Sequence, residues 1–207
     1  NGITGQDLLK LEDTAVSVTA ANHGVHGKDC LVLQQADVTV TSGGDALRAT
    51  NDSDTALGCI LIGASALTLT AGEDGIQAET TLTLFDTACT VTSGGGSGTA
   101  LSGGVSAKGI KAGTDITVRS GSCTLDCADD AVHANGSVTV SGGTFTVTTG
   151  DDGVHADNAV TITDGTIDIP KCYEGIEGQT ITISGGTIDI VSSDDGLNAA
   201  GGADQSG

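Results

Sequence analysis

The sequence has almost none of the residues that fill an ordinary globular core. Among 207 residues there is no methionine or tryptophan, and only two phenylalanines, one tyrosine and one proline. A core without large rings has to be assembled from small and β-branched side chains repeated on a regular lattice. Basic residues are equally scarce: seven lysines and arginines face 27 aspartates and glutamates, giving a formal net charge of −20 and a pI near 4.1. Binding to nucleic acid needs clustered cations against phosphate, so that class of partner is excluded. Cations, or polymers bridged by cations, are the natural partners of such a surface. No run of about 18 apolar residues is present, which argues against membrane insertion. Nor is there an initiator methionine or a signal peptide, and the expected form is a soluble, mature or trimmed chain acting as a monomer.

Glycine is abundant, and it is periodic. Gly2, Gly24, Ala46, Gly75, Gly109, Ala131, Gly153, Gly175 and Gly196 are separated by 22, 22, 29, 34, 22, 22, 22 and 21 residues. The repeat is therefore 22 residues, with insertions near 50–58 and 93–104 accounting for the two long steps. After each marker the apolar residues alternate, as in Val154, then Val160 and Ile162, then Ile167 and Ile169. Period-2 alternation places those residues on one face of a strand. The expectation is an all-β, right-handed parallel β-helix over 1–207, a single domain of about eight coils of ~22 residues with three short strands per coil. The glycine pairs of "VSGGTF" and "ISGGTI" would supply corners.

Six cysteines follow this lattice in part. Cys30 and Cys59 share a column of neighbouring coils, where they can either bond or remain thiols, since stacking alone does not guarantee disulfide geometry. Cys89 and Cys123 share a core column and are expected to be buried thiols acting as small apolar fillers. No CxxC pair or cysteine–histidine cluster has the spacing of a zinc site.

The position before each marker reads His23, Asp45, Asp74, Lys108, Asp130, Asp152, Glu174 and Asp195. The one before that includes Asp129, Asp151, Tyr173 and Asp194. Stacking turns this repeat into a ladder of carboxylates. Two like charges about 5 Å apart repel by about 0.8 kcal/mol in water and about 3 kcal/mol at an effective dielectric near 20, and the repulsions accumulate. Asp-Asp-Gly is also common turn chemistry, in which aspartate caps backbone amides. Repetition in register, with Glu177 nearby, instead favours a hard divalent cation such as Ca²⁺, which takes about 6–8 oxygen ligands. His133 and His155 stack beside this column and read as hydrogen-bonded surface histidines. Lys108 and Lys111 interrupt it, either neutralising Asp130 and its neighbours or serving as the base of a Ca²⁺-assisted lyase. Outward threonine ladders, such as Thr39/Thr41, Thr68/Thr70 and Thr90/Thr92, could match an ice lattice but are ordinary on an exposed strand face.

The motifs "DDAVHANGSVTVSGGTFTV", "DDGVHADNAVTITDGTIDI", "YEGIEGQTITISGGTIDI" and "SDDGLNAAGG" span Asp129 to Gly202. In this order they resemble bacterial carbohydrate-binding proteins with a polysaccharide-lyase-like (pectate-lyase-like) β-helix, found in Clostridia and relatives. Asn1 to Lys108 matches only the general repeat, and Ala131 departs from the glycine of the motif. The resemblance implies an extracellular or cell-surface, Ca²⁺-binding protein that associates with plant cell-wall polysaccharide, polygalacturonate and cellulose included, without cleaving it. It implies metal ligands at Asp129, Asp130, Asp151, Asp152, Glu174, Glu177, Asp194 and Asp195; from the residues themselves, Tyr173, the one ring expected to be exposed, and His155 are the candidates for contact with a glycan. The alternatives are a Ca²⁺-dependent lyase of pectate-lyase type and a surface adhesin or ice-binding β-helix.

Overall fold

A computed structural model describes residues 1–200; the last positions of the expected domain, 201–207, lie outside the described residues. The alternating segments all form strands, and each pairs in parallel with its equivalents one coil before and one coil after. Thus Ile76 lies beside Ile110 and Ile110 beside Val132, while Thr83, Thr117 and Thr139 form another continuous row. The result is a β-solenoid of about nine turns, each of roughly 22 residues. The turn beyond the eight read from the sequence is opened by the two-residue strand Leu197–Asn198, which pairs with Ile176–Ile183.

Stacking in register makes the core a set of apolar columns. Leu31, Ile60, Leu82 and Ile116 lie one above another, as do Leu33, Ile62, Leu84 and Val118, all of them buried. Each fully buried aliphatic side chain contributes about 1.5–3 kcal/mol relative to exposure, which is how a chain with three aromatic rings closes a core. The marker position is confined because each coil sits directly on the next. A Cβ at Gly153 would lie 2.6 Å from both the Gly175 carbonyl oxygen and Ile169 Cδ1. Ala131 nevertheless fits the same column: it is buried, and its amide donates to the Asp152 carbonyl at 2.9 Å, so the ladder runs unbroken past this departure from the motif.

Corners are built in two ways. In the later coils Gly121, Gly143, Gly165 and Gly186 turn the chain with φ between 92° and 113°, as the glycine pairs predicted. The strands Ser137–Thr149 and Val154–Cys172 run through such corners without a break. In the first four coils the turn falls instead on Asp13, Gln35, Ala64 and Asp86, with φ of 48–50°. Left-handed backbone costs an L-residue roughly 1–2 kcal/mol, and here the cost is offset because each amide is bonded to the next coil. Ala64 N donates to Phe85 O at 3.1 Å, and Gln35 N to Gly63 O at 3.1 Å.

The insertions leave the coil where the sequence placed them, between Leu47–Ala49 and Cys59–Gly63 and between Thr87–Ser93 and Ile110–Ala112. Cys30 and Cys59 are in-register partners. Cys89 and Cys123, expected to be thiols, are instead joined by a disulfide with a Cα–Cα separation of 4.6 Å. The lattice explains this correction, since facing residues of adjacent parallel strands fall inside the range of about 4.4–6.8 Å that a disulfide spans. Cys127 and Cys172 are buried thiols. Among the described residues no helix is long and apolar enough to cross a membrane.

Candidate functional site

The acidic column lies at the corner that precedes each short marker strand, and its first function is structural. Asp45 Oδ1 accepts a hydrogen bond from Asp74 N at 3.1 Å, Asp74 Oδ1 from Lys108 N at 2.8 Å, and Asp130 Oδ1 from Asp152 N at 3.1 Å. Each carboxylate thus caps the amide of the equivalent residue one coil later. The capping role expected of a single Asp-Asp-Gly turn is present, carried across coils instead of within one.

The second oxygen of each carboxylate meets a cation or another acid. Lys108 Nζ lies 2.8 Å from Asp129 Oδ1 and 2.7 Å from Asp130 Oδ2, and the Asp130 oxygen is also 2.8 Å from His133 Nδ1. Burial opposes the charge of Asp130, but His133 and Lys108 outweigh it and hold this carboxyl well below the usual range. Burial likewise lowers Lys108, yet the carboxylates of Asp130 and Asp129 raise it above the ordinary lysine range. That is the opposite of the lowered pKa a lyase base requires. Lys108 therefore takes the neutralising role. Lys111 lies 3.4 Å from Asp74 Oδ2 and donates to Ser106 Oγ at 3.1 Å.

One coil on, His155 Nδ1 faces Asp152 Oδ2 at 3.1 Å and Glu177 Oε2 at 2.9 Å, while Nε2 faces Asp157 at 3.4 Å. Its bond to Asp152, against the opposing effect of burial and aided by Asp130 and Glu177, raises His155 from 6.5 to about 9. Burial pushes Glu177 up to about 7. His155, expected to be available to a glycan, is ion-paired to these carboxylates while part of its side chain stays open to solvent. Its ring stacks on that of His133 with centroids 4.8 Å apart. Glu174 is buried, with Asn198 Nδ2 donating to its two oxygens at 3.2 and 3.0 Å. Tyr173 is half-buried, and Asp194 and Asp195 are exposed and join none of these clusters.

Among the described residues, one grouping has only oxygen donors: Asp129, Asp130 and Asp151, with one carboxylate oxygen of each within 4.8 Å of the others. Asp151 is pushed up to about 6 by burial and then by the charges of Asp130, Asp152 and Asp129. Its negative potential is only partly offset by Lys108. Two further groupings mix imidazole with carboxylate, Asp130/His133/His155 and Asp152/His155/Glu177. A fourth, His23/Asp45/Glu73, lies in the early coils and was not anticipated. There Arg48 NH1 sits 3.2 Å from Asp45 Oδ2 and 2.6 Å from His23 Nε2, and burial followed by the Arg48 charge lowers His23. The column positions of His23, Asp45 and Arg48 were visible in the repeat, but only the acidic pairs were read as a site.

The fold and site define a parallel β-solenoid protein with charged groups repeated at coil spacing along one edge. A family model described as "Carbohydrate-binding domain-containing protein" matches residues 1–153, and the chain belongs to that family. The match includes Asp129, Asp130, Asp151 and Asp152, while Glu174, Glu177, Asp194 and Asp195 lie beyond it. It extends over the amino-terminal coils, where the sequence motifs had shown only a general repeat. No curated protein and no solved structure matches the chain.

Proposed function

We propose that this protein binds plant cell-wall polysaccharide of the polygalacturonate type outside the cell, through Ca²⁺ held at Asp129, Asp130 and Asp151, and does not cleave it. The observation that carries this reading is the all-oxygen cluster in which Asp151 is crowded by three other carboxylates. Its donors suit a hard cation, and three carboxylates leave part of the coordination shell of Ca²⁺ for a uronate carboxylate. An acidic polymer would otherwise be repelled by an acidic face. Ion pairing does not separate the candidates, since Lys108 holds Asp129 and Asp130 just as His155 holds Asp152 and Glu177 and Asn198 holds Glu174, so Ca²⁺ would have to share or displace the Lys108 ammonium. What singles out Asp129, Asp130 and Asp151 among the described groupings is that only oxygen donors meet there. The raised pKa of Lys108 supports binding without β-elimination, and the Cys89–Cys123 disulfide supports an oxidising, extracellular setting.

The test is co-sedimentation with insoluble polygalacturonate and a melting curve, each in millimolar Ca²⁺ and in EDTA. Ca²⁺ should raise the melting temperature and retain the protein on the polymer, and Asp129→Asn with Asp151→Asn should abolish both effects. Equal melting in Ca²⁺ and EDTA would remove the metal. Ca²⁺-stabilised protein that ignores the polymer would keep the metal and discard the glycan. Accumulation of unsaturated uronates, followed by ultraviolet absorbance and lost in Lys108→Ala or Lys111→Ala, would make the protein a lyase.

A further inference from the structure

The base of the first insertion is fastened to the preceding coil at adjoining points. Asn51 Nδ2 donates to Asp29 Oδ1 at 2.6 Å, and Gly58 N donates to the Asp29 carbonyl at 2.6 Å. The next residues of the two strands are Cys30 and Cys59, in-register partners whose sulfurs lie 2.7 Å apart. This pair repeats, one face over, the arrangement of Cys89 and Cys123, which are also in-register partners of adjacent coils and are bonded. Parallel strands run about 4.7–4.9 Å apart, inside the range of about 4.4–6.8 Å between Cα atoms that a disulfide spans.

We infer that Cys30 and Cys59 are a second oxidation site of this protein, forming an inter-coil disulfide that clamps the Asn51–Gly58 insertion to the coil before it. The oxidant is a small disulfide such as glutathione disulfide. One cysteine thiolate attacks it, releasing one glutathione thiol and leaving a mixed disulfide. The second cysteine then displaces the other glutathione as the Cys30–Cys59 bond forms. Two thiol protons and two electrons leave the protein, and one glutathione disulfide becomes two thiols. Burial and the neighbouring Cys59 sulfur push the Cys30 thiol up to about 12. The reduced Cys30 thiol therefore gains nothing from ionisation, which favours the bonded form once it is made. Cys30 and Cys59 are half-buried, whereas Cys89 and Cys123 are 4% and 5% exposed, so the two bridges differ in access to a reductant.

The experiment is peptide mapping by mass spectrometry of the whole chain after equilibration with glutathione disulfide, with free thiols alkylated in denaturant and no reductant added. The expected map has a Cys30–Cys59 cross-linked peptide beside Cys89–Cys123, with only Cys127 and Cys172 alkylated. Under native conditions a dithiothreitol series should open Cys30–Cys59 at a lower concentration than Cys89–Cys123. The double variant Cys30→Ala with Cys59→Ala should melt below the oxidised wild type and equal to wild type whose Cys30–Cys59 bond alone has been reduced. Alkylation of Cys30 and Cys59 in fully equilibrated protein, or their pairing with any other cysteine, would overturn the inference. So would a double variant as stable as the oxidised wild type.

Discussion

Raising the pH from about 5 to about 9 in the presence of a chelator is expected to destabilise this fold, because several groups hold protons more tightly in the native state than in the unfolded chain. His155 moves from 6.5 to about 9, so its contribution is complete below 6.5 and is lost as the pH climbs through 9. Glu177 moves from 4.5 to about 7, and Asp45 and Asp151 from 3.8 to about 6. For these acids the native state resists ionisation, and the penalty grows from the ordinary value upward until it is complete above the shifted one. All four act in the same direction, whereas His23 and His26, lowered by burial and then by Arg48, act the other way from about pH 5 to 7. The gap from 6.5 to 9 at His155 corresponds to about 3 kcal/mol. A quarter of that side chain is open to solvent (24%), and screening brings the figure to about 1–2 kcal/mol. Glu177 shares its interaction with His155 and is not counted again. The part of the Asp45 and Asp151 penalties that falls above pH 5 adds about 1 kcal/mol each, about 2 kcal/mol more. A loss of about 3–4 kcal/mol lowers the melting temperature of a chain of this size by roughly 6–16 °C. Calorimetric melting in EDTA at pH 5, 7 and 9 measures it, and His155→Gln should flatten the interval from pH 7 to 9. A melting temperature that is level or rises from pH 7 to 9, or an unchanged profile in His155→Gln, would refute the reasoning. At the acid end Asp130 works with the opposite sign, since its carboxyl is held low by His133 and Lys108, and its contribution is lost as the pH falls below about 4.

Two substitutions probe the lattice itself. Lys108→Met removes the cation shared by Asp129 and Asp130 and is expected to cost about 3–5 kcal/mol, as for other broken buried pairs; Ca²⁺ should recover more stability in this variant than in the wild type, measured as the shift in melting temperature. Gly153→Val drives a side chain against the Gly175 carbonyl and Ile169 and should cost at least about 1–3 kcal/mol of overpacking, whereas Gly196→Val, whose Cβ would meet nothing within 4 Å among the described residues, should be close to neutral in the same melting assay.

The solenoid was legible in the sequence because its physics is periodic: one 22-residue step fixes which residues stack, and alternation fixes which of them point inward. The later corners were legible because only glycine adopts their backbone readily. The corners at Asp13, Gln35, Ala64 and Asp86 were not, since residues of four positions and three types carry no shared signal, and the inter-coil hydrogen bonds that hold them appear only in three dimensions. The carboxylates of the candidate site could be named from their column. Their partners were harder to find, because a side chain reaches one coil forward or back. The Lys108 contact to Asp130 was foreseen as one of two roles, whereas the clasp of His155 between Asp152 and Glu177 depends on which rotamers the stack allows. The pairing of Cys89 with Cys123 shows the same limit: the shared column was evident and the bond was not.

Both insertions leave the coil sideways, and the strands on either side of them return to the same register with their neighbours. The molecule therefore behaves as a ruler whose graduations are set by the backbone ladder and not by the amount of chain between them. Residues can be added or lost within 52–57 or 98–104 without changing the interval from one charged rung to the next, so whatever lies along this edge meets the same spacing however those loop tips are edited.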